Sequence, residues 1–207
     1  MALDHTVGSR SQQAADVKKR RTEQLEFVTS QIEPLTTRLH DEQERRKQLG
    51  VLDSVSLGLY EEVDKLAKKA PADDVTDLVL EHVNDVIRET KQLIPEDTYV
   101  QRLVEFVAAG DNPQHRDVVL VLRQVRQGLK RFESSLTTQI TSLQDRLDDA
   151  KGLAVAIRLH LNGQTRVTME HLKPYGVEVS TNWLDHYGGA VEFDRLDTMT
   201  VQTYFEG

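Results

Sequence analysis

Residues 118–161 have the sequence VVLVLRQVRQGLKRFESSLTTQITSLQDRLDDAKGLAVAIRLHL. Apolar side chains recur in this stretch at steps of three or four residues, which places them on one face of a helix. The positions are Val118, Leu122, Val125, Leu129, Phe132, Leu136, Ile140, Leu143, Leu147, Ala150, Ala154, Ile157 and Leu161. No polar residue interrupts the series, so the stretch predicts one long helix with a continuous buried seam. At a rise of about 1.5 Å per residue, this helix is roughly 65 Å long.

The predicted ends of this helix carry suitable boundary residues. Asn112 is a good N-cap and Pro113 suits the first helical position. Asn162 and Gly163 favour a stop at the other end. The mean step of the apolar series is about 3.6 residues, as in a straight helix. We therefore expect slight supercoiling, as in a helical bundle, rather than a tight zipper.

A second long helix is predicted over residues 10–49. Its apolar positions are Val17, Leu25, Val28, Ile32, Leu35 and Leu39. Proline lacks a backbone donor and restricts the residue before it, so Pro34 predicts a kink or a break near Glu33. Gly50 is expected to end the helix.

Three shorter helices are predicted over residues 53–69, 73–93 and 96–109. The inward face of the first consists of Leu52, Val55, Leu59, Val63 and Leu66. Together with the two long helices, they predict a mainly α fold, an elongated helical bundle or coiled coil of about five helices. This bundle is expected to occupy residues 1–162 as one domain.

The remaining segment, residues 163–207, has a different composition. It holds six of the eleven aromatic residues, and its apolar residues lose the helical spacing. Five short stretches have β propensity: 165–169, 177–180, 183–187, 190–193 and 198–205. The pair Gly188-Gly189 suits a two-residue hairpin turn. We therefore expect a second, small, aromatic-rich α+β or β element here.

This element is too short to bury all its aromatic side chains by itself. Aromatic residues dominate the energetics of protein interfaces, so the element is a candidate for attachment to a partner protein. The candidate attachment residues are Trp183, Tyr187, Val201, Tyr204 and Phe205.

The composition disfavours several classes of protein. The 207 residues include 26 Lys and Arg against 34 Asp and Glu, a net charge of −8, and no cysteine. The lack of cysteine excludes disulfides, Cys-ligated metals and cysteine nucleophiles. The sequence has no phosphate-binding glycine motif, no serine nucleophile elbow and no histidine pattern of a known metal site, so we expect no cofactor. It also has no secretory leader and no apolar run of membrane-spanning length, which favours the cytoplasm or an assembled particle, without a membrane partner.

Two groups of basic residues are candidates for phosphate contact. The first consists of Lys18, Lys19, Arg20 and Arg21. The second is centred on Arg123, in a basic stripe of the 118–161 helix. Four consecutive cations surround a helix instead of forming one readout surface, and the chain is acidic overall. Nucleic acid is therefore not the favoured partner, and a regulator that binds it as a dimer is the alternative hypothesis.

The lengths of the helices indicate a function. The long helix exceeds each of the three short helices, so part of its seam has no obvious partner within the chain. Self-association would cover it through Leu129, Leu136, Ile140, Leu143 and Leu147. We expect a non-enzymatic, homo-oligomeric scaffold or adaptor, for example a component of a virus particle. An enzyme is the less favoured alternative, with scattered candidates at Tyr175, Asp185, His186 and Tyr187.

Overall fold

The computed structural model describes residues 4–106, 113–185 and 188–206, with side chains from residue 12 onward. The chain forms two compact units. Unit 1 consists of Met1–His40 and Thr141–Gly207, and unit 2 consists of Asp41–Ile140. Each of the two long helices contributes one part to each unit. The predicted domain boundary after residue 162 concerns independent folding, and it stays a prediction.

The first helix, α1, spans Asp4–Lys69 without a break. The predicted end at Gly50 is therefore wrong, and α1 has no break at Pro34; a kink near Glu33 stays a prediction. Pro34 is exposed, and it removes only one of the many backbone hydrogen bonds of a helix whose face is held by packing on both sides of it. On its inward side, Leu35 and Leu39 are buried within unit 1.

Packing also explains why α1 continues through Gly50. The inward positions Leu49, Leu52, Ser56, Leu59 and Val63 are all buried and follow steps of three and four residues. Burial of this face offsets the roughly 1 kcal/mol by which glycine disfavours a helix interior. Val55 and Leu66, expected on the inward face, are 52% and 39% exposed.

The long helix over residues 118–161 is confirmed. It is α4, His115–Leu161, and it begins two residues after Pro113, while Asn112 lies outside the described residues. Its stop is as predicted: Gly163 has a φ of 99°, and the amide of Gln164 donates to the carbonyl of Leu159 at 3.0 Å. A left-handed glycine after the last turn is a common helix ending.

Within unit 2, α1 and α4 pack against each other in opposite directions. The guanidinium of Arg45 lies 5.1 Å from the centre of the Phe132 ring, and Arg126 forms an ion pair with Asp53 at 3.6 Å. Because a residue earlier in α1 meets a residue later in α4, the helices are antiparallel. The second helix, α2, Asp77–Leu93, completes the core with buried Val83, Val86 and Ile87.

The third helix, α3, is a single turn at Thr98–Gln101, whereas the sequence predicted a helix over 96–109. Asp97 caps this turn by accepting hydrogen bonds from the amides of Tyr99 and Val100, at 2.8 and 3.1 Å. Residues 103–106 that follow have no regular secondary structure. The remainder of the predicted helix, residues 107–109, lies outside the described residues.

The C-terminal segment of unit 1 is helical at residues 198–205, where a strand was predicted, and the other predicted strands are replaced by short helical turns, isolated bridges and irregular backbone. It contains α5, Met169–Leu172, three 3₁₀ turns at Lys173–Tyr175, Thr181–Trp183 and Phe193–Arg195, and α6, Thr198–Glu206. Among the described residues it forms no sheet, only two isolated antiparallel bridges, Thr168 to Ala190 and Leu184 to Val191. The predicted β element is therefore not confirmed, although the chain does reverse direction around Gly188 and Gly189.

The predicted strand at residues 198–205 is replaced by α6 for a local reason. Asp197 accepts hydrogen bonds from the amide and the hydroxyl of Thr200, at 2.8 and 2.6 Å, which caps the helix. These hydrogen bonds from Thr200 also lower the pKa of Asp197. Val201 and Phe205 are four residues apart, so a helix buries both on one face.

No helix in the described part of the chain has the combined length and hydropathy needed to cross a membrane.

Candidate interaction surfaces

The predicted self-association seam is covered within the single chain. In unit 2, Leu129 and Leu136 are buried and Ile140 is half-buried; in unit 1, Leu143 and Leu147 are buried. With α1 ending near residue 49, part of this seam would lack a partner, but α1 extends to Lys69 and so provides it. The seam thus no longer requires a second chain. Self-association itself stays a prediction.

The candidate attachment residues lie mostly inside unit 1. Trp183, Val201 and Phe205 are buried, Tyr204 is half-buried, and Tyr187 lies outside the described residues. The Tyr204 ring packs edge-to-face on Trp183, with centroids 5.4 Å apart. These side chains contribute to the packing of unit 1, which leaves little of them exposed for a partner.

A buried carboxylate holds α6 and the 177–180 segment to α4. Asp149, only 1% exposed, accepts a hydrogen bond from the Tyr204 hydroxyl at 2.5 Å and another from the Ser180 amide. Burial, followed by the hydrogen bond to Asp149, raises the pKa of Tyr204 above its ordinary value. The network is structural, because it joins three segments of unit 1.

The raised pKa of Tyr204 predicts delayed ionisation. Its folded-state pKa lies above the unfolded value of 10.0, so its stabilising contribution is present below pH 10 and is lost as the pH rises further. Titration by phenolate absorbance should show one tyrosine ionising after the others, and Tyr204→Phe should remove that late step. Uniform ionisation of the tyrosines in the wild-type chain would contradict the prediction.

The candidate phosphate contacts are divided between the units. In unit 1, Lys18, Lys19 and Arg20 are exposed. Arg21 instead donates to the backbone carbonyls of Leu196 and Phe193, at 2.7 and 2.6 Å. Burial and the nearby Arg20 lower the pKa of Arg21.

In unit 2, the guanidinium of Arg123 contacts the Tyr60 hydroxyl at 3.4 Å. Arg21 is therefore half-buried and engaged within the protein. Arg123 contacts Tyr60 but is exposed, as are Lys18, Lys19 and Arg20.

The scattered enzyme candidates do not define a site. Tyr175 is 57% exposed in a 3₁₀ turn, and Asp185 is half-buried, with its amide donating to the Ala190 carbonyl. His186 and Tyr187 lie outside the described residues. Across the described ranges, no three His, Asp or Glu side chains are grouped so that they could hold a metal ion.

An open groove of about 730 Å³ lies on unit 2. Its apolar lining consists of Tyr99, Val100, Leu103, Val104, Phe106 and Val121. Tyr99 and Val104 are 73% and 75% exposed and both line this groove, so they contribute to one exposed apolar patch rather than lying singly on the surface. The sequence does not predict this groove, because its lining residues between Tyr99 and Phe106 were expected to form part of a regular helix over 96–109.

Side-chain hydrogen bonds fix the irregular segment that forms the groove. The amide group of Asn84 donates to the carbonyl of Phe106 at 2.8 Å and accepts from its backbone amide at 2.7 Å. Gln101 donates to the carbonyls of Lys91 and Ile94, at 2.9 and 3.1 Å. The groove is therefore anchored to α2 before any ligand binds.

A charged pair lies at one edge of the groove. Arg131 forms an ion pair with Asp97 at 3.0 Å, and its guanidinium lies 5.8 Å from the centre of the Tyr99 ring. Burial alone would raise the pKa of Asp97, but the hydrogen bond from Arg131 and two backbone amides outweigh this effect and lower it. Asp97 therefore stays ionised at neutral pH and holds Arg131 beside the tyrosine.

A second exposed surface of unit 2 lies on α1, and we refer to it as the 47–61 face. It consists of Lys47, Gly50, Val51, Ser54, Leu57, Gly58 and Glu61. These residues point away from the buried positions of the same helix, and Val51 is 67% exposed. The five central members of this face, Gly50, Val51, Ser54, Leu57 and Gly58, are uncharged. This is uncommon for the solvent side of a helix in a protein with 29% charged residues.

Comparison of the chain with protein-family models, with curated proteins and with solved structures gives no match. The fold and the surfaces define a helical protein with two long helices, an apolar groove and an uncharged exposed helix face.

Proposed function

We propose that this chain is a non-enzymatic scaffold or adaptor. It self-associates, and it binds another protein through the groove of unit 2. The observation that carries the proposal is the exposed apolar lining of that groove, above all Tyr99 and Val104. A cytoplasmic location and a place in a larger assembly, such as a virus particle, are parts of the same proposal.

The chemistry of the groove favours a protein partner. Aromatic and aliphatic side chains with a basic residue at the rim are typical of protein interfaces, where Tyr and Arg contribute strongly to binding. The anchoring by Asn84 and Gln101 reduces the entropy lost when a partner binds. An apolar side chain of the partner would lie between Tyr99 and Val104.

The groove can be tested by exchanging Val104 for aspartate. A tagged protein isolated from its natural cells should retain its protein partners, and Val104→Asp should reduce their recovery at least tenfold because it places a charge in the apolar lining. Leu78→Asp is the matched control, since Leu78 is 64% exposed on α2 and does not line the groove. Helicity should be equal in all three proteins. Equal recovery with Val104→Asp would contradict groove binding.

The alternative regulator hypothesis has a separate signature. Exposed Lys18, Lys19 and Arg20 support it, because they remain available for phosphate. Binding of DNA or RNA would fall steeply with salt and would be lost when these three residues are replaced by alanine. The scaffold proposal instead expects no such binding at physiological ionic strength.

A further inference from the structure

The 47–61 face has a symmetric order of residues about Ser54. Glycines lie four positions away on both sides, at 50 and 58, and branched apolar residues lie three positions away, Val51 and Leu57. Seven positions away, Lys47 on one side corresponds to Glu61 on the other. A face with this order matches a second copy of itself when the copy runs in the opposite direction.

Both glycines leave room for a second helix. A methyl group added at Gly50 or at Gly58 would meet no atom within 4 Å. The Ser54 hydroxyl donates to the Gly50 carbonyl at 2.9 Å, so it does not extend far from the helix. Small residues at the centre of a helix face allow two backbones to approach closely.

The geometry of two antiparallel helices places the branched residues over the glycines. With a two-fold axis at Ser54, Val51 of one copy lies beside Gly58 of the other, and Leu57 lies beside Gly50. Each contact occurs twice because the interface is symmetric. The apolar side chains thus fill the space that the glycines leave.

The charges select the antiparallel direction. Lys47 of one copy then faces Glu61 of the other, at both ends of the contact. In a parallel pair in register, Lys47 would face Lys47 and Glu61 would face Glu61, which is repulsive. Lys47 forms an ion pair with Glu44 on its own helix. Because its side chain is exposed, it is also accessible to Glu61 of a second chain.

We propose that the 47–61 face is the contact by which two copies of this chain form an antiparallel dimer centred on Ser54. The inference deepens the self-association part of the proposed function and does not depend on groove binding. It replaces the α4 seam, which is already covered within the chain, as the self-association surface.

Engineered cysteines test the direction directly, because the natural chain has no cysteine. Ser54→Cys should form an intermolecular disulfide under mild oxidation, since a disulfide needs Cα atoms within about 7 Å. Lys47→Cys alone should not, because the two copies of residue 47 would lie about 21 Å apart along the helices. A mixture of Lys47→Cys and Glu61→Cys chains should cross-link. Cross-linking of Lys47→Cys to itself would overturn the antiparallel arrangement.

The mass in solution tests the contact itself. We expect a concentration-dependent dimer by light scattering, and Gly58→Leu should raise its dissociation constant at least tenfold because leucine blocks Val51 of the other copy. The monomer should fold normally, since the space at Gly58 is open and leucine favours helix. Gln48→Leu is the matched control, exposed on the same helix but outside the face.

Charge reversal adds a rescue test. Lys47→Glu and Glu61→Lys should each weaken the dimer, because two like charges then face each other. The double variant should restore it, because residues 47 and 61 again carry opposite charges. A wild-type monomer at high concentration, or a dimer unaffected by Gly58→Leu, would overturn the inference. Val104→Asp should leave the dimer intact, so failure of groove binding and failure of this contact can be told apart.

Discussion

Gly152→Ala is expected to lower the free energy of unfolding by about 3 kcal/mol, although alanine normally stabilises a helix interior relative to glycine. Gly152 lies in α4, where the 177–180 segment of unit 1 crosses the helix closely. A methyl group at this position would overlap the carbonyl of Glu178 and lie 2.8 Å from Cγ2 of Val179. The first neighbour is backbone, so relief requires the whole segment to move away from α4.

Chemical denaturation of the two alanine variants Gly152→Ala and Gly50→Ala measures this effect against its control. Gly50 has open space around its Cβ position, so at a protein concentration too low for the proposed dimer its replacement by alanine should raise the stability of the monomer by about 1 kcal/mol. The two substitutions are chemically identical and should change stability in opposite directions. A stabilising Gly152→Ala would show that the 177–180 segment does not pack against α4 as described.

The long helices illustrate how far sequence periodicity determines the fold. The α4 seam was predictable because thirteen positions follow one period without a polar interruption. The sequence also contains the signal for a continuous α1, because Leu49, Leu52, Ser56 and Leu59 continue the period across Gly50. Glycine and proline favour an end or a break of the helix, but burial along a long helix outweighs one poor helix former.

The C-terminal segment shows the limit of local propensity. Its β-branched and aromatic residues favour strands. Residues 198–205 nevertheless form α6, because Asp197 caps the helix and because packing of α6 within unit 1 buries both Val201 and Phe205. The signal available in the sequence was the spacing of four between these two residues, with the capping residue Asp197 four positions before Val201. Tertiary packing decided between two conformations that the local sequence permits.

The candidate surfaces were less accessible to sequence reasoning than the core. The groove depends on the early end of α3 and on the clamp between Asn84 and Phe106, which are 22 residues apart. No local pattern encodes that contact. The 47–61 face, in contrast, is a sequence feature, but its exposure became evident only when α1 continued through Gly50 and presented the residues on one side of a helix.

Asp149 is a buried carboxylate that joins three segments of unit 1, and Asp149→Ala should lower the free energy of unfolding by about 3 kcal/mol. The carboxylate accepts hydrogen bonds from the Ser180 amide and the Tyr204 hydroxyl. Removing it leaves both donors without this partner in a largely buried setting, and an unsatisfied buried donor costs about 1–3 kcal/mol.

Exposed Asp145, one turn earlier on the same helix, provides the matched control. Asp145→Ala should change stability by less than about 0.5 kcal/mol, because Asp145 is exposed and substitutions of exposed side chains have small effects. Tyr204→Phe should be intermediate, since it removes one of the two hydrogen bonds and keeps the ring packed on Trp183. Thermal and chemical unfolding should therefore rank the variants as Asp145→Ala, Tyr204→Phe and Asp149→Ala, from most to least stable. If Asp149→Ala unfolded at the same denaturant concentration as Asp145→Ala, the carboxylate would not hold α6 and the 177–180 segment to α4.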